Sequence, residues 1–338
     1  GITTFGGSGL QLPTGPTEMR GGRGRGVFSG GNGAPSTTYV DTMSFITIAT
    51  KGDAQDFGDL SKGVYSHGSA ADATRGVIAG GYVSPGATTS DIEYTTISSL
   101  GGGNDFGELA VGFQYGGGCN SPTLAVFGGG WADTVTNIGG DKNSNVLQFI
   151  TIQTTGDSKE FGDLTQRRQC DQAFSNTTRG CYAGGAYYSA YPSYTGTNII
   201  DFFTFSSLGD AQDFGDLIAD GWGKGKAANN TRGIIAGGQG GPSPFPKQDV
   251  IQFITIATTG NSTDFGDLSA ANVYTTALSS STRVTIGGGG TGDPSTTRVN
   301  TIEFITIAST GDATDFGDLT LITDQLSSFS NVNGGLAQ

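Results

Sequence analysis

The sequence is poor in the residues from which metal and redox sites are usually built. Its three cysteines, Cys119, Cys170 and Cys181, form an odd and irregular set that predicts neither a disulfide framework nor a paired-cysteine metal motif. Its single histidine, His67, cannot alone supply a zinc site of two histidines or a copper site with several imidazoles. We therefore expect no metal, no cofactor and buried thiols, with a bridge between Cys170 and Cys181 as the alternative.

Basic residues and long apolar runs are also scarce. The chain has 17 Lys and Arg against 30 Asp and Glu, a formal charge of −13, and such a surface repels a phosphate backbone. No run approaches the roughly 18 consecutive apolar residues of a membrane helix. We therefore expect neither a nucleic-acid partner nor membrane insertion. The start lacks methionine and the regions of a signal peptide, which indicates a processed or partial product.

The most prominent feature present is a unit repeated six times. In each copy a phenylalanine is followed by glycine, a carboxylate and leucine, and an aromatic precedes it at a fixed interval, as Phe304 precedes Phe316. The copies are about 50 residues apart, a period typical of propeller blades. The recurring phenylalanines are Phe57, Phe106, Phe161, Phe214, Phe265 and Phe316. We expect them in the blade cores. The carboxylate is expected to accept backbone N–H groups in a tight turn, with a shared calcium site as the alternative.

A second recurring segment is an apolar run that ends in a glycine pair, as in Arg75-Gly-Val-Ile-Ala-Gly-Gly81. It predicts a buried strand whose exit needs positive φ, and we expect it to be the innermost full strand of each blade. With the Phe-Ile-Thr-Ile run, the Asp-Phe-Gly-Asp-Leu run and a weaker run such as residues 63–67, each unit supplies four short antiparallel strands.

The sequence thus predicts an all-β fold, a six-bladed β-propeller of four antiparallel strands per blade. The final run, residues 321–330, has no successor, so we expect it to pair with residues 24–31 and close the ring, which removes two exposed sheet edges. The predicted divisions are a glycine-rich N-terminal arm at 1–23, repeats at about 24–73, 74–122, 123–177, 178–230, 231–281 and 282–331, and a C-terminal tail at 332–338.

The unit resembles the kelch repeat, in which a glycine pair is followed by one aromatic and then a second large aromatic, within about 50 residues. The resemblance covers residues 24–331 and implies a kelch-type propeller. Kelch units usually carry tyrosine and tryptophan where this chain has mostly phenylalanine, so the resemblance bears on the fold more than on any activity.

The repeat motif is similar to that of kelch-like repeat proteins of marine tailed bacteriophages. It reads Phe-Ile-Thr-Ile-Ala-Ser-Thr-Gly-Asp-Ala-Thr-Asp-Phe-Gly-Asp-Leu, with Thr-Arg-Gly before the next glycine pair. That resemblance implies a protein of the virion surface, in a tail fibre, a tail accessory or a capsid decoration. Some kelch-type propellers are copper oxidases, but His67 alone cannot supply their imidazole ligands. We therefore expect no enzymatic activity and no catalytic residues.

The stretch between the glycine-pair strand and the Phe-Ile-Thr-Ile strand varies most, and variable loops on a constant scaffold commonly carry recognition. The stretch of the third repeat, from Trp131 to Gln148, is long and polar, that of the fourth carries four tyrosines, and that of the fifth contains Phe245. Tyrosines offer rigid faces with hydroxyl edges, which suit sugar sites and protein interfaces. We predict that the three loops are neighbours on one rim; the alternative for the tyrosines is that two or three of them only cover the end of their own blade. The predicted ligand-binding residues are Trp131, Tyr187, Tyr188, Tyr191, Tyr194 and Phe245.

The function predicted is that of a non-enzymatic virion structural protein acting as an attachment or receptor-recognition propeller. Its expected partners are other virion proteins and a host surface glycan, and homo-oligomerisation is left open. One alternative is a secreted or surface carbohydrate-binding propeller of cellular origin. Another is a propeller enzyme.

Overall fold

The computed structural model describes residues 24–34, 38–135, 140–170, 172–190, 193–241, 243–292 and 296–336. Within these ranges the chain folds into short antiparallel strands joined by turns. None of these ranges contains a helix with the length and apolar character that crossing a bilayer requires. The predicted N-terminal arm, residues 1–23, and Tyr191 lie outside the described residues.

The described residues form six four-stranded antiparallel sheets, an all-β architecture consistent with a β-propeller-like fold. We number the sheets 1 to 6 along the chain, and the strands of each in spatial order from first to fourth. The strands are, for sheet 1, Ser327–Ser330, Arg25–Ser29, Thr42–Thr47 and Gln55–Asp59; for sheet 2, Gly68–Ala71, Arg75–Ala79, Asp91–Thr96 and Asn104–Glu108; for sheet 3, Gly117–Asn120, Leu124–Gly128, Val146–Thr151 and Lys159–Asp163; for sheet 4, Ala173–Ser175, Arg179–Ala183, Ile199–Thr204 and Gln212–Asp216; for sheet 5, Gly225–Ala228, Arg232–Ala236, Val250–Thr255 and Thr263–Asp267; and for sheet 6, Thr276–Ser279, Arg283–Gly287, Thr301–Thr306 and Thr314–Asp318.

Sheets 2 to 6 each take their four strands in chain order from one stretch of sequence, whereas sheet 1 takes its first strand from the C-terminal region. Ser327–Ser330 pairs antiparallel with the second strand of sheet 1, with Gly26 opposite Ser330 and Ser29 opposite Ser327. The pairing predicted for the final run is therefore present. This pairing supplies hydrogen-bond partners for backbone N–H and C=O groups of Arg25–Ser29, which would otherwise lie at an open sheet edge.

The hydrophobic core lies between neighbouring sheets. Each core cluster joins residues of two successive sheets, and one of them brings Phe28 and Ile46 of sheet 1 together with Ile302 and Phe316 of sheet 6. The six recurring phenylalanines are at most 2 % exposed, which confirms them as core residues. Burying one such ring contributes roughly 1.5 to 3 kcal/mol.

Two predictions about strand positions were wrong. The weak run at residues 63–67 precedes the sheet strand Gly68–Ala71, and Val64–Tyr65 pairs in a separate small sheet. The glycine-pair strand was predicted to be the innermost full strand. It is instead the second strand of its sheet, because the first strand pairs on its other side. The first strands are built mostly from glycine, serine and alanine and pack against one another, as Asn120 N–H donates to Ser175 Oγ at 3.1 Å. Such small residues carry no hydrophobic periodicity.

Arginines at the start of the second strands connect neighbouring sheets. Arg232, for example, lies with its guanidinium 4.7 Å from the ring centre of Phe253, and its Nη1 donates to Ile307 O of sheet 6 at 2.8 Å. The same bond is made by Arg25 to Ile97 O, Arg75 to Ile152 O, Arg179 to Ile256 O and Arg283 to Ile48 O. The last of these joins sheet 6 to sheet 1.

The fourth strands are covered by the turn that precedes the fourth strand of the next sheet. Each recurring phenylalanine accepts a backbone N–H from a turn glycine; these bonds join Gly101 to Phe57, Gly156 to Phe106, Gly209 to Phe161, Gly260 to Phe214, Gly311 to Phe265 and Gly52 to Phe316, at 2.7 to 2.9 Å. They pair backbone groups that would otherwise be left open at the sheet edges.

The recurring carboxylate does not have the role predicted for it at this junction. The side chain that accepts the N–H belongs to the residue after the turn glycine, since Asp53 Oδ1 accepts from Asp318 N at 3.1 Å and Asp157 Oδ1 from Glu108 N at 3.0 Å. Asp318 and Glu108 are members of the recurring set, and they supply the backbone donor. Both of these side chains are exposed.

Candidate recognition rim

The second strands all end in a glycine pair, at the end of the sheets that we call the rim. In sheet 2 the glycines Gly80 and Gly81 have φ of 67° and 103°. A Cβ on Gly81 would lie 2.4 Å from Val64 Cγ2, so only glycine lets the chain turn here against the preceding segment. Beyond the pair, short hairpins such as Tyr82–Val83 with Ala87–Thr88 extend the rim.

Backbone hydrogen bonds place the loops of different sheets at this same end. Tyr115 N donates to Ser66 O at 2.9 Å, Ser66 N to Gln325 O at 2.8 Å, and Gln325 N to Tyr274 O at 3.0 Å. Ser66, Tyr115, Tyr274 and Gln325 all have positive φ, between 53° and 58°. Each lies directly before the first strand of a sheet, so the rim of one sheet is bonded to the rim of the next.

Five aromatic side chains on the rim form a continuous row, which we call the aromatic row. Ring centres are 5.8 Å apart for Trp131 and Tyr188, 4.5 Å for Tyr188 and Tyr194, 6.0 Å for Tyr194 and Trp222, and 5.4 Å for Trp222 and Phe245. All four contacts are edge-to-face, a favoured geometry for aromatic pairs. All five side chains are half-buried.

The structure brings together four of the six residues that the sequence predicted for this site, namely Trp131, Tyr188, Tyr194 and Phe245. Tyr187 is half-buried on the same hairpin, but alternation along a strand turns it to the opposite face from Tyr188.

Sequence reasoning missed Trp222, which connects the hairpin of sheet 4 to the loop of sheet 5. It lies before the first strand of sheet 5 and forms an isolated bridge with Gln239, in a segment where only a weak strand was predicted. The signal that could have found it is its rarity, since the chain has only two tryptophans. The other is Trp131, at the far end of the row.

Two buried lysines hold the segment that follows Trp222. Lys224 Nζ donates to Gly237 O at 2.9 Å and also to Gln248 Oε1, and Lys226 Nζ donates to Gln172 O at 2.9 Å. Burial, with a smaller contribution from Lys226, lowers the pKa of Lys224 to about 7. These bonds fix the backbone beneath the row.

An ion pair orders the loop that carries Trp131. Lys142 Nζ donates to Asp133 Oδ1 at 2.9 Å, and Asp133 Oδ2 accepts from Thr88 Oγ1 of sheet 2 at 3.0 Å. The hydrogen bond from Lys142 is the main cause that lowers the pKa of the Asp133 carboxyl. Both charges are therefore engaged within the protein.

A second aromatic group, the tyrosine cluster of Tyr39, Tyr65 and Tyr82, lies on the rim of sheets 1 and 2. Its ring centres are 5.0 to 6.0 Å apart. Burial, followed by the two neighbouring phenols, raises the pKa of Tyr65, so its hydroxyl stays protonated. The sequence prediction did not include this cluster, in which Tyr39 contacts Tyr65 and Tyr82 at the rim of the next sheet.

The single histidine is buried and neutral. His67 Nε2 lies 3.0 Å from Ser29 Oγ, and burial lowers the pKa of His67 to about 3. Its Nδ1 has no hydrogen-bond partner among the described residues. A nucleophilic serine needs an accessible hydroxyl and a base oriented by a third group. Ser29 is 1 % exposed, and no such third group contacts Nδ1 in the described part of the chain.

The cysteines are free and buried, so the alternative of a bridge between Cys170 and Cys181 was wrong. Across the described ranges, no group of three or more His, Cys, Asp or Glu side chains is placed to hold a metal ion. No protein-family model and no curated protein matches the chain.

Proposed function

We propose that the six sheets are the blades of a closed kelch-type propeller. Three contacts between sheet 6 and sheet 1 support closure: the bond from Arg283 Nη1 to Ile48 O at 2.8 Å, the bond from Gly52 N to Phe316 O at 2.9 Å, and the shared core of Phe28 with Phe316. Equivalent turn and core contacts join the other neighbouring sheets, and the arginine bond recurs at each junction except that of sheets 3 and 4, where Leu124 replaces the arginine. This is the pattern of a ring without a free end.

The segment after the last strand adds support for a ring. Asn333 Nδ2 donates to Asn120 Oδ1 of sheet 3 at 3.3 Å, and Gly334 N donates to Ala228 O of sheet 5 at 2.8 Å. These two first strands belong to sheets that are not neighbours. A short segment that follows sheet 1 can contact both if the first strands surround a common axis.

We further propose that this propeller is a non-enzymatic recognition module, and that it acts as an attachment or receptor-binding part of a phage particle. The observation that carries the recognition role is the aromatic row, to which three successive sheets contribute half-buried rings at one end of the molecule. Partly exposed tryptophan and tyrosine are enriched where proteins bind ligands and partners. The proposed location on a virion rests on the resemblance of the repeat motif to repeats of phage proteins.

The chemistry of His67 favours binding over catalysis. Its imidazole is buried and neutral, and the neighbouring Ser29 hydroxyl also donates to a backbone carbonyl, that of Ser327, at 3.4 Å. Neither group is accessible to a substrate.

Mass spectrometry of purified virions tests the particle role. Phage particles are banded on a density gradient and their proteins quantified, with immunogold labelling against this chain on the same fractions. We expect the chain to band with the particles at a fixed ratio to the capsid protein. Its recovery from a cell surface or growth medium, and not from particles, would instead support a cellular carbohydrate-binding protein.

A further inference from the structure

We propose that the aromatic row binds an uncharged glycan, with pyranose rings packed on the faces of Trp131 and Trp222. This inference rests on the proposed recognition function and names the ligand class of the same rim. Sugar rings present C–H patches on one face and hydroxyls at the edge. A site for them combines aromatic faces with a few neutral polar groups.

The packing of the row makes it a rigid platform. Each ring contacts the next edge-to-face, with interplanar angles of 65°, 76°, 61° and 64° along the row. Because neighbouring rings fix one another, a ligand that packs on them immobilises few side chains, which lowers the entropic cost of binding. A small ligand with few contacts depends most on such preorganisation.

Glutamines pair with both tryptophans of the row. The rim bridges pair Gln114 with Trp131, Gln169 with Ala186, and Gln239 with Trp222. Gln114 and Gln239 are half-buried, and an amide offers both donors and an acceptor, as the hydroxyls of a sugar require. Each tryptophan of the row is thus paired with a glutamine across a bridge, and Gln239 Nε2 also donates to Phe245 O at 2.7 Å.

The charged groups near the row are already engaged within the protein. Asp133 is bonded to Lys142 and Thr88, Asp220 Oδ1 accepts from Gly241 N at 2.9 Å, and Lys247 Nζ donates to Gly292 O of sheet 6. With a formal charge of −13 on the chain, an anionic glycan would meet net repulsion that a single ammonium, such as that of Lys247, does not offset. This favours an uncharged ligand.

Aromatic residues are enriched at protein interfaces as well as at sugar sites. A protein partner is therefore treated as an outcome of the test.

The test is binding of the full chain to an array of neutral oligosaccharides, printed beside sialylated, sulfated and phosphorylated forms. The best glycan is then titrated calorimetrically against Trp131→Ala and Trp222→Ala, with Tyr82→Ala of the tyrosine cluster as the matched control. We expect at least one neutral glycan to bind, about tenfold or greater loss of affinity in both tryptophan variants, and wild-type affinity in the control. Trp222→Phe keeps a ring in place, so it should fold and retain part of the affinity even if Trp222→Ala does not fold.

Binding of anionic forms only, or equal affinity of the tryptophan variants and the wild type, would overturn the proposal. Capture of a purified virion protein by the same row, without any glycan bound, would identify a protein partner and also overturn it. If the chain is found in virions but binds no neutral glycan, only the glycan proposal fails. If the chain is absent from virions but binds a neutral glycan, only the particle role fails.

Discussion

At the scale of single residues, Arg168 and Asp201 form an ion pair in which neither side chain is exposed to solvent. Arg168 Nη1 lies 2.8 Å from Asp201 Oδ2, and its Nε and Nη2 donate to the carbonyls of Gly184 and Tyr182 at 3.0 and 3.3 Å. A buried pair offsets its desolvation only when the remaining donors are also bonded. Each of these two buried charges is therefore compensated by the other.

Replacing one partner of this pair should be strongly destabilising. We expect Arg168→Met to lower the free energy of unfolding by about 3 to 5 kcal/mol, because Asp201 would remain buried with an uncompensated charge. The matched control is Lys142→Met at the partly exposed pair with Asp133, where a loss of less than about 1 kcal/mol is expected. Urea unfolding of both variants measures the difference, and losses of equal size would contradict the account.

His67 predicts a pH dependence of stability. Burial lowers its pKa to about 3 in the folded chain, against the ordinary 6.5 when unfolded. Between these values the unfolded chain binds a proton that the folded chain does not, so the unfolding free energy falls as the pH is lowered from 6.5. We expect His67→Gln, which does not titrate, to lose about 2 to 3 kcal/mol less than the wild type between pH 7 and pH 4.5. Parallel stability curves for the two proteins, from urea melts at each pH, would show that this account of His67 is mistaken.

At the scale of elements, the junctions between sheets differ in one respect. Five second strands begin with an arginine that donates to a carbonyl of the next sheet. The second strand of sheet 3 begins instead with Leu124, and the matching position of sheet 4 is Phe205, where the other sheets have isoleucine. Phe205 and Leu124 pack in the shared core of sheets 3 and 4. Apolar contact thus replaces the charged hydrogen bond at this junction.

The arginine contact should contribute measurably wherever it is made. We expect Arg232→Ala to lower the unfolding free energy by about 1 to 3 kcal/mol, through loss of the bond to Ile307 O and of the contact with the Phe253 ring. Arg167→Ala is the control, because Arg167 is exposed, and it should change stability by less than about 0.5 kcal/mol. If chemical denaturation gave both variants the same midpoint, the arginine contact would contribute nothing.

Most strands of each sheet could be predicted from the sequence, and the reason is chemical. The second, third and fourth strands carry β-branched and aromatic residues at fixed intervals, and the recurrence of Phe57 and its equivalents revealed the unit. The first strand Gly68–Ala71 was misplaced, because close packing of small residues leaves no hydrophobic pattern to read. The first strand of sheet 1, Ser327–Ser330, does lie within the predicted final run.

The candidate site was predictable only where the loops themselves were distinctive. Trp131, Tyr188, Tyr194 and Phe245 lie in loops that vary between repeats, and their shared rim followed from the repeat order. Trp222 lies outside those loops, and its place beside Tyr194 depends on the packing of sheet 4 against sheet 5. The sequence pattern of one repeat carries no information on that contact.

At the scale of the whole molecule, the proposed ring depends on contacts between residues far apart in the chain. Asp318 N donates to Asp53 Oδ1 at 3.1 Å across a separation of 265 residues. Such pairing is slow to form because loop closure precedes any gain in contacts. The final strand could be assigned to sheet 1 from the sequence only because it lacked a successor.

Disulfide crosslinking across two equivalent junctions tests this closure most directly. Cysteines at Asp53 and Asp318 would join sheet 1 to sheet 6, and cysteines at Glu108 and Asp157, whose backbone-to-carboxylate contact is 3.0 Å, would join sheets 2 and 3 as the matched control. All four positions are exposed and the native cysteines are buried. A closed ring predicts intramolecular disulfides of similar yield at both junctions after mild oxidation, read by peptide mass spectrometry. A crosslink at 108 and 157 with free thiols at 53 and 318 would contradict it.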